Sequence, residues 1–281
     1  MAMVLMAALL WGTTGTARAL APVGAAPLAV GAVRIAIGGA LLVIIALSRR
    51  TLLHRRWPVG PALLAAVAVA VYQLAFFEGV ARAGVAAGTI VAIGSAPAFA
   101  GLLAYLTLGE RPTTRWLLVT AVAVVGIGLL VLPTGLAAQG RLAVLLPLVA
   151  GAAYAVYATA TKRLLREGDN VAVAAIAFGG GALILVPVLV LADLRWLAEA
   201  RGVAVALWLG VVATALAYLL FTRALARLPV SWGATLSLAE PLTASLLGTF
   251  ALGETLAPSQ LAGAALVAAG LAALAASPRP S

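Results

Sequence analysis

Residues 79–88 read GVARAGVAAG, and residues 224–233 read ALARLPVSWG. Ala81, Arg82, Val85 and Gly88 of the first stretch recur as Ala226, Arg227, Val230 and Gly233 of the second, at an offset of 145. Residues 97–110, PAFAGLLAYLTLGE, then align without a gap with residues 241–254, PLTASLLGTFALGE, at an offset of 144, and both end in Leu-Gly-Glu. Further upstream, Trp11 falls opposite Tyr154 at an offset of 143. The chain reads as a duplication, and the number of elements in each copy decides the fold.

Around these stretches the sequence is apolar almost throughout. Hydrophobic residues make up 64% and charged residues 9%, with a mean hydropathy of +1.16, far beyond the roughly half-apolar makeup of a soluble domain. A bilayer core about 30 Å thick takes roughly 20 apolar residues per helix. Segments of about that length occur at residues 2–17, 27–47, 59–81, 85–106, 114–132, 142–161, 171–191, 203–222, 231–251 and 259–276. Pro22, Pro27, Pro58, Pro112, Pro133, Pro229 and Pro258 punctuate the gaps, where free backbone groups can meet water. No basic stretch precedes the first run, so it is expected to be a span rather than a cleaved leader.

The predicted fold is an all-α membrane protein of ten transmembrane helices. Its first five-helix repeat is expected over residues 1–137 and its second over residues 138–281. Five is odd, so the second copy enters the membrane from the opposite side. Inverted repeats of this kind favour alternating access to a shared site at the midplane.

The formal charge of +10 is spread through the gaps and does not gather on one soluble face; it reads as topology rather than as a nucleic-acid surface. With a cytoplasmic N-terminus, twelve basic residues fall inside: Arg49, Arg50, Arg55, Arg56, Arg111, Arg115, Lys162, Arg163, Arg166, Arg223, Arg227 and Arg279. Arg18, Arg82, Arg141, Arg195 and Arg201 fall outside, and Arg34 lies within a span. The bias puts both termini in the cytoplasm. Lys162 is the only Lys and Ala is abundant, a composition that points to a GC-rich bacterium and hence to its inner membrane.

Several chemistries lack their residues. There is no Cys, and the single His54 has no partner at metal-ligand spacing. No phosphate-binding glycine loop, paired catalytic carboxylates or nucleophile with a nearby base occurs, so neither an enzyme, a cofactor nor an ATP-driven pump is expected. Pairs such as Gly84/Gly88 and Gly126/Gly128 and the run Gly179 to Gly181 are expected to be helix-packing surfaces.

Trp11-Gly12 in the first span, Arg34 in the second, Pro97 with Leu108-Gly109-Glu110 around the fourth, and Glu240-Pro241 with Leu252-Gly253-Glu254 around the ninth occur in one order along the chain. In this the sequence resembles the drug/metabolite transporter superfamily, in the branch with duplicated EamA domains. The resemblance covers essentially the whole chain. It implies a ten-helix transporter with a central cavity lined by both halves, often an exporter of amino acids or related metabolites, with the aromatic amino acid exporters as the nearest group. The Leu-Gly-Glu tripeptides are expected to shape helix termini rather than touch substrate.

An acid near the middle of a span is costly unless paired, hydrated or protonated. Glu240, just before Pro241, is therefore either a substrate-amine ligand or proton carrier, or a protonated carboxyl bonded to carbonyls freed by the proline. Arg34 is expected to meet a substrate carboxylate, to pair with Glu240, or to snorkel outward. Glu78 and Arg82 have the spacing and order of a helical ion pair.

Trp57, Trp116, Trp196 and Trp208 suit an interfacial belt. Tyr72, Phe76, Phe77, Tyr154, Tyr157, Tyr218, Phe221 and Trp11 sit at corresponding places in the two copies, and Tyr72, Tyr154 and Tyr218 lie well inside their spans. The expected substrate contacts are Trp11, Tyr72, Gln73, Phe76, Ser95, Tyr154, Tyr157, Tyr218, Ser237 and Glu240, with Arg34 as a charge partner. An aromatic wall with a few polar groups suits amphipathic or aromatic small molecules. The function expected is secondary transport, exporting amino acids, with protons as a candidate coupling ion. Two alternatives stay open: a multidrug exporter of lipophilic cations, and a channel or non-transporting scaffold.

Overall fold

Long runs of Ala, Leu and Val in a medium without water leave the backbone one local way to satisfy its N–H and C=O groups, the helix. The computed structural model describes residues 1–52, 56–83, 85–131, 140–253 and 257–276, and these contain helices and no strand. His54, Arg55, Gly84, Pro133, Glu254 and Arg279 lie outside the described residues.

In the first half the helices are α1 (Ala2–Ala19), α2 (Pro27–Ser48), α3 (Val59–Ala83), α4 (Val85–Leu108) and α5 (Thr114–Val131). The second half holds α6 (Arg141–Leu164), α7 (Asn170–Ile184), α8 (Val186–Leu191), α9 (Ala200–Leu207), α10 (Ala217–Leu225), α11 (Val230–Leu236), α12 (Ala239–Leu252) and α13 (Pro258–Ala275). Among the described residues, six helical stretches are long and apolar enough to cross a membrane: Pro27–Ser48, Val59–Ala83, Val91–Leu108, Arg141–Leu164, Ala200–Leu225 and Pro258–Ala275. Thr114–Leu129 and Asn170–Ile184 are shorter apolar helices.

Two expected spans are interrupted, each beside a proline. Pro187 follows the junction of α7 and α8, and Pro241 follows the junction of α11 and α12 at Ser237 and Leu238. A proline has no N–H to give and its ring crowds the carbonyl four residues back; for Pro241 that carbonyl belongs to Ser237, which accepts instead from the backbone N–H of Glu240 at 2.9 Å. Pro97, at the aligned place in α4, leaves its helix unbroken. The stretch from α9 to α10 is continuous but passes through a π-helical segment, Trp208–Leu216, where the Thr214 hydroxyl donates to the Leu209 carbonyl at 2.8 Å.

Helix pairing crosses between the halves. α3 and α4 pack on α6, while α10 and α12 pack on α1; α2 lies against α7 and α5 against α13. Small residues allow the approach. A Cβ on Gly39 would lie 2.6 Å from the Phe178 carbonyl oxygen, and one on Gly126 2.7 Å from that of Gly263, so the backbones touch directly. Gly88, Gly179, Gly180 and Gly181 also face packed neighbours, but Gly128 faces open space and is no packing surface.

Helix ends are closed by polar groups. Gly109 and Gly253 both adopt φ +72° after α4 and α12, the left-handed turn that glycine makes without a Cβ penalty. The Glu110 carboxylate accepts from the Val230 N–H at 2.9 Å and so caps α11. Lys162 donates to the carbonyls of Leu225 (2.7 Å) and Leu228 (2.8 Å) beyond α10, and Arg163 to that of Thr107 (2.8 Å) at the end of α4.

The tryptophans depart in part from the expected belt. Trp116 and Trp196 are buried; Trp116 donates to the Ser231 carbonyl (3.2 Å) and the Thr235 hydroxyl (3.0 Å), tying α5 to α11. A buried indole needs a partner for its N–H, and here α11 supplies it. Trp208 is exposed, with its N–H on the Thr13 hydroxyl at 2.9 Å. Glu78 and Arg82 form the expected ion pair, at 2.6 Å.

Candidate functional site

The aromatic residues converge at the centre of the bundle. The Tyr218 ring, carried by α10 just past the π-helical segment, lies 4.1 Å from Phe178 of α7, 4.8 Å from Trp11 of α1 and 5.7 Å, edge-on, from Tyr157 of α6. Trp11 also contacts Phe221 at 5.4 Å, and Tyr72 stacks on Phe76 at 5.4 Å within α3. All but the 4.1 Å contact fall in the 4.5 to 7 Å range, in the stacked, tilted or edge-on geometries that ring quadrupoles favour.

Between these rings lie two small chambers. Ile35, Ala68, Val69, Tyr72, Gln73, Tyr154, Tyr157, Phe178 and Tyr218 line one, about 260 Å³ of space between atoms. The other, about 310 Å³, is lined by Trp11, Tyr72, Ala92, Ile93, Ala96, Tyr154, Tyr218, Ser237 and Glu240. Tyr72, Tyr154 and Tyr218 form the shared wall. Much of this space is cramped, with room for about one or two water molecules in each chamber. A metabolite does not fit this space as it stands, so the rings that line it must move apart to admit one.

Polar groups in the chambers fall into two sets. The Tyr154 hydroxyl donates to Ser237 Oγ at 3.0 Å, and Ser237 Oγ itself donates to the Gly233 carbonyl at 3.0 Å; this chain joins α6 to α11. Gln73 Nε2 donates to the Gly31 carbonyl at 3.0 Å, joining α3 to α2. The second set has charge and no bond. Arg34 is only 5% exposed, its Nε has no hydrogen-bond partner, and among the described residues it forms no ion pair with Glu240.

Eight of the ten predicted contacts therefore line the chambers. Phe76 packs among Ala75, Ala92 and Ala150 behind Tyr72, and Ser95 Oγ donates to the Ala92 carbonyl at 3.2 Å where α4 crosses α6 at Gly151; neither reaches a chamber wall. Arg34 lines neither chamber. Missed by sequence reasoning were Phe178, next to the Gly179 to Gly181 run, and the apolar residues Ile35, Ala92, Ile93 and Ala96. Their only signal was apolar character inside a span, which every lipid-facing residue shares.

A bundle of apolar helices around small chambers lined by aromatic rings, with one carboxyl among them, is an arrangement that suits a membrane carrier. The EamA-like transporter family matches residues 1–132 and again 141–276. An uncharacterized transporter of Bacillus subtilis, YwfM, is 43% identical over 276 residues, covering 98% of this chain and 93% of its own. A probable terminal-alkyne amino-acid exporter of Streptantibioticus cattleyicolor is 33% identical over 213 residues, 75% of this chain and 70% of that one. A crystal structure at 22% identity superposes with a TM-score of 0.79 over 96% of this chain and 94% of its own, a likeness of fold. The chain belongs to the EamA-like transporter family; it is a multi-pass membrane transporter and not an enzyme.

Proposed function

We propose that the protein is a secondary transporter of the bacterial inner membrane that exports amino acids, aromatic or otherwise apolar, by alternating access through the central chambers. The observation that carries this reading is the tyrosine wall: one small central space lined from both halves by Trp11, Tyr72, Tyr154 and Tyr218, with Ser237 and Glu240 as its polar part. Aromatic faces take an apolar side chain, and the few polar groups orient the rest of the molecule. The relative named as an amino-acid exporter supports the same substrate class.

Two inverted five-span repeats, over residues 1–137 and 138–281, would make ten spans. Pairing of helices across the halves supports this, because α3 and α4 stand to α6 as α10 and α12 stand to α1. Ala96 and Glu240, each just before the aligned stretches that begin at Pro97 and Pro241, both line the second chamber and correspond at the offset of 144. Near-equivalent halves can exchange conformations and open the same chamber to either side.

The experiment is counterflow in proteoliposomes with labelled phenylalanine, leucine and threonine, run against the lipophilic cation tetraphenylphosphonium. Saturable counterflow of an amino acid supports the reading. Counterflow of the cation alone would favour a multidrug exporter; conductance without counterflow, a channel; neither activity, a scaffold.

A further inference from the structure

A polar cleft opens where the end of α2 meets the turn between α6 and α7, at the end of the bundle that the charge bias puts in the cytoplasm. Arg49, Arg50 and Thr51 line it from the first half, and Arg166, Glu167 and Asp169 from the second, around about 810 Å³ of space between atoms that is open to solvent. That is more than twice the space in either central chamber, so a polar group enters without any helix moving.

The lining sets three guanidinium groups against two carboxylates. The Asp169 carboxylate is committed to the start of α7, where it accepts from the N–H groups of Val171 at 2.6 Å and Ala172 at 3.3 Å. At the same end of the bundle Lys162 and Arg163 are tied to backbone carbonyls. Among the described residues Arg49, Arg50 and Arg166 form no ion pair. A cation just past a helix complements its dipole, a need that Arg49 alone would meet at the end of α2. Arg50 stands at φ +56°, in the turn that brings the Thr51 N–H back to the Ala46 carbonyl at 3.0 Å. Glycine is the residue that fits such a position without a Cβ penalty, so the chain carries a guanidinium where glycine would fold better.

Trp57 gives the depth of the cleft. Its ring packs on Gly168, a lining residue whose added Cβ would run into the indole, and its N–H donates to the Leu52 carbonyl at 3.4 Å. A half-buried Trp at the end of a bundle of apolar helices stands at the level of the lipid headgroups. We propose that the cleft is a binding site for the phosphate of an anionic phospholipid, held by Arg49 and Arg50 of the first half and Arg166 of the second. A guanidinium fork meets phosphate oxygens in parallel charge-assisted hydrogen bonds, and basic pockets between helices on the cytoplasmic side suit such headgroups. A lipid held there joins the end of α2 to the α6–α7 turn, and its binding is independent of what the central chambers carry.

The test is lipid binding to the purified full chain in neutral detergent, read by native mass spectrometry with dioleoylphosphatidylglycerol, dioleoylphosphatidylcholine and, as competitor, millimolar inorganic phosphate. Wild-type protein is expected to bind its first phosphatidylglycerol about tenfold or more tighter than phosphatidylcholine, each arginine contributing severalfold. The triple variant Arg49→Gln, Arg50→Gln, Arg166→Gln should lose this preference. A second triple variant, Arg111→Gln, Arg223→Gln, Arg227→Gln, removes the same charge from exposed positions assigned to the same side but outside the cleft, and should keep it. No preference in wild type, or equal loss in both triple variants, would overturn the site in favour of diffuse attraction to a basic surface. Displacement of the lipid by millimolar phosphate would overturn the lipid as its ligand. Arg50→Gly separates binding from folding: it relieves the left-handed residue, so the thermal midpoint should hold or rise while phosphatidylglycerol binds severalfold more weakly. Unchanged lipid affinity in that variant would count against the site.

Discussion

Glu240 decides between a structural and a functional acid, and the structure narrows the choice. The carbonyl freed by Pro241 already accepts from the backbone N–H of Glu240, so a purely structural carboxyl would have to share it through the second lone pair. Glu240→Gln keeps the shape and a donor but cannot carry charge or release a proton. Amino-acid counterflow by the variant is expected to fall about tenfold or more, the worth of a charge-assisted contact, with the fold intact by gel filtration in detergent. Loss of both counterflow and pH-gradient-driven transport marks substrate binding, loss of the pH-driven mode alone marks proton coupling, and wild-type rates in both would remove the carboxylate from the mechanism. Glu110 offers a second residue-scale prediction, outside the spans. Burial holds its carboxyl above the ordinary glutamate range, against the lowering effect of the Val230 N–H and the Lys162 charge. The folded protein thus binds this proton more tightly than the unfolded chain does. The group stabilises the fold below the ordinary carboxylate value, and that contribution is lost as pH rises through the raised one. Thermal unfolding in detergent from about pH 4 to about pH 8 should show this dependence in wild type and a flatter one in Glu110→Gln; an unchanged profile would assign it to another group.

At the scale of the element, two aligned prolines behave differently, and the difference is testable. Pro97 sits in an unbroken α4, whereas Pro241 stands just after the break between α11 and α12. Removing a helix-breaking proline restores the missing N–H and favours one straight rod. Pro241→Ala is expected to lower transport several-fold by moving Ser237 and Glu240 off the chamber wall, while Pro97→Ala leaves it near wild type. Equal effects in both variants would mean that the break has no part in transport. Close helix crossing gives a second prediction. A side chain at Gly39 must push into the Phe178 carbonyl, and overpacking a tight contact costs about 1–3 kcal/mol. Gly39→Val should lower the thermal midpoint of the purified protein clearly, and Gly128→Val, at a position facing open space, should not.

For the molecule as a whole the prediction is its orientation. The excess of Arg in one set of loops puts residues 48–58 and both termini in the cytoplasm. A cysteine introduced at Thr51 should react with an impermeant thiol reagent only after the cells are opened, and one at Arg195 should react in intact cells; the reverse pattern would invert the topology. The sequence by itself determined the helical class, carried the internal repeat and the glycines that end α4 and α12, and named eight of the residues that line the chambers. These follow from periodicity, span length and position along the chain, which are local properties. Tertiary structure alone decided which apolar residues meet at the centre and which face lipid, because in a membrane both environments are apolar and composition cannot tell them apart. That is why Phe178 was missed, why Phe76 and Ser95 were expected at a wall they do not reach, and why Trp116 was expected at an interface rather than bonded to α11. It is also why Arg34 and Glu240 could be read from sequence as a pair: only the packing of α2 and α12 in one bundle leaves them apart.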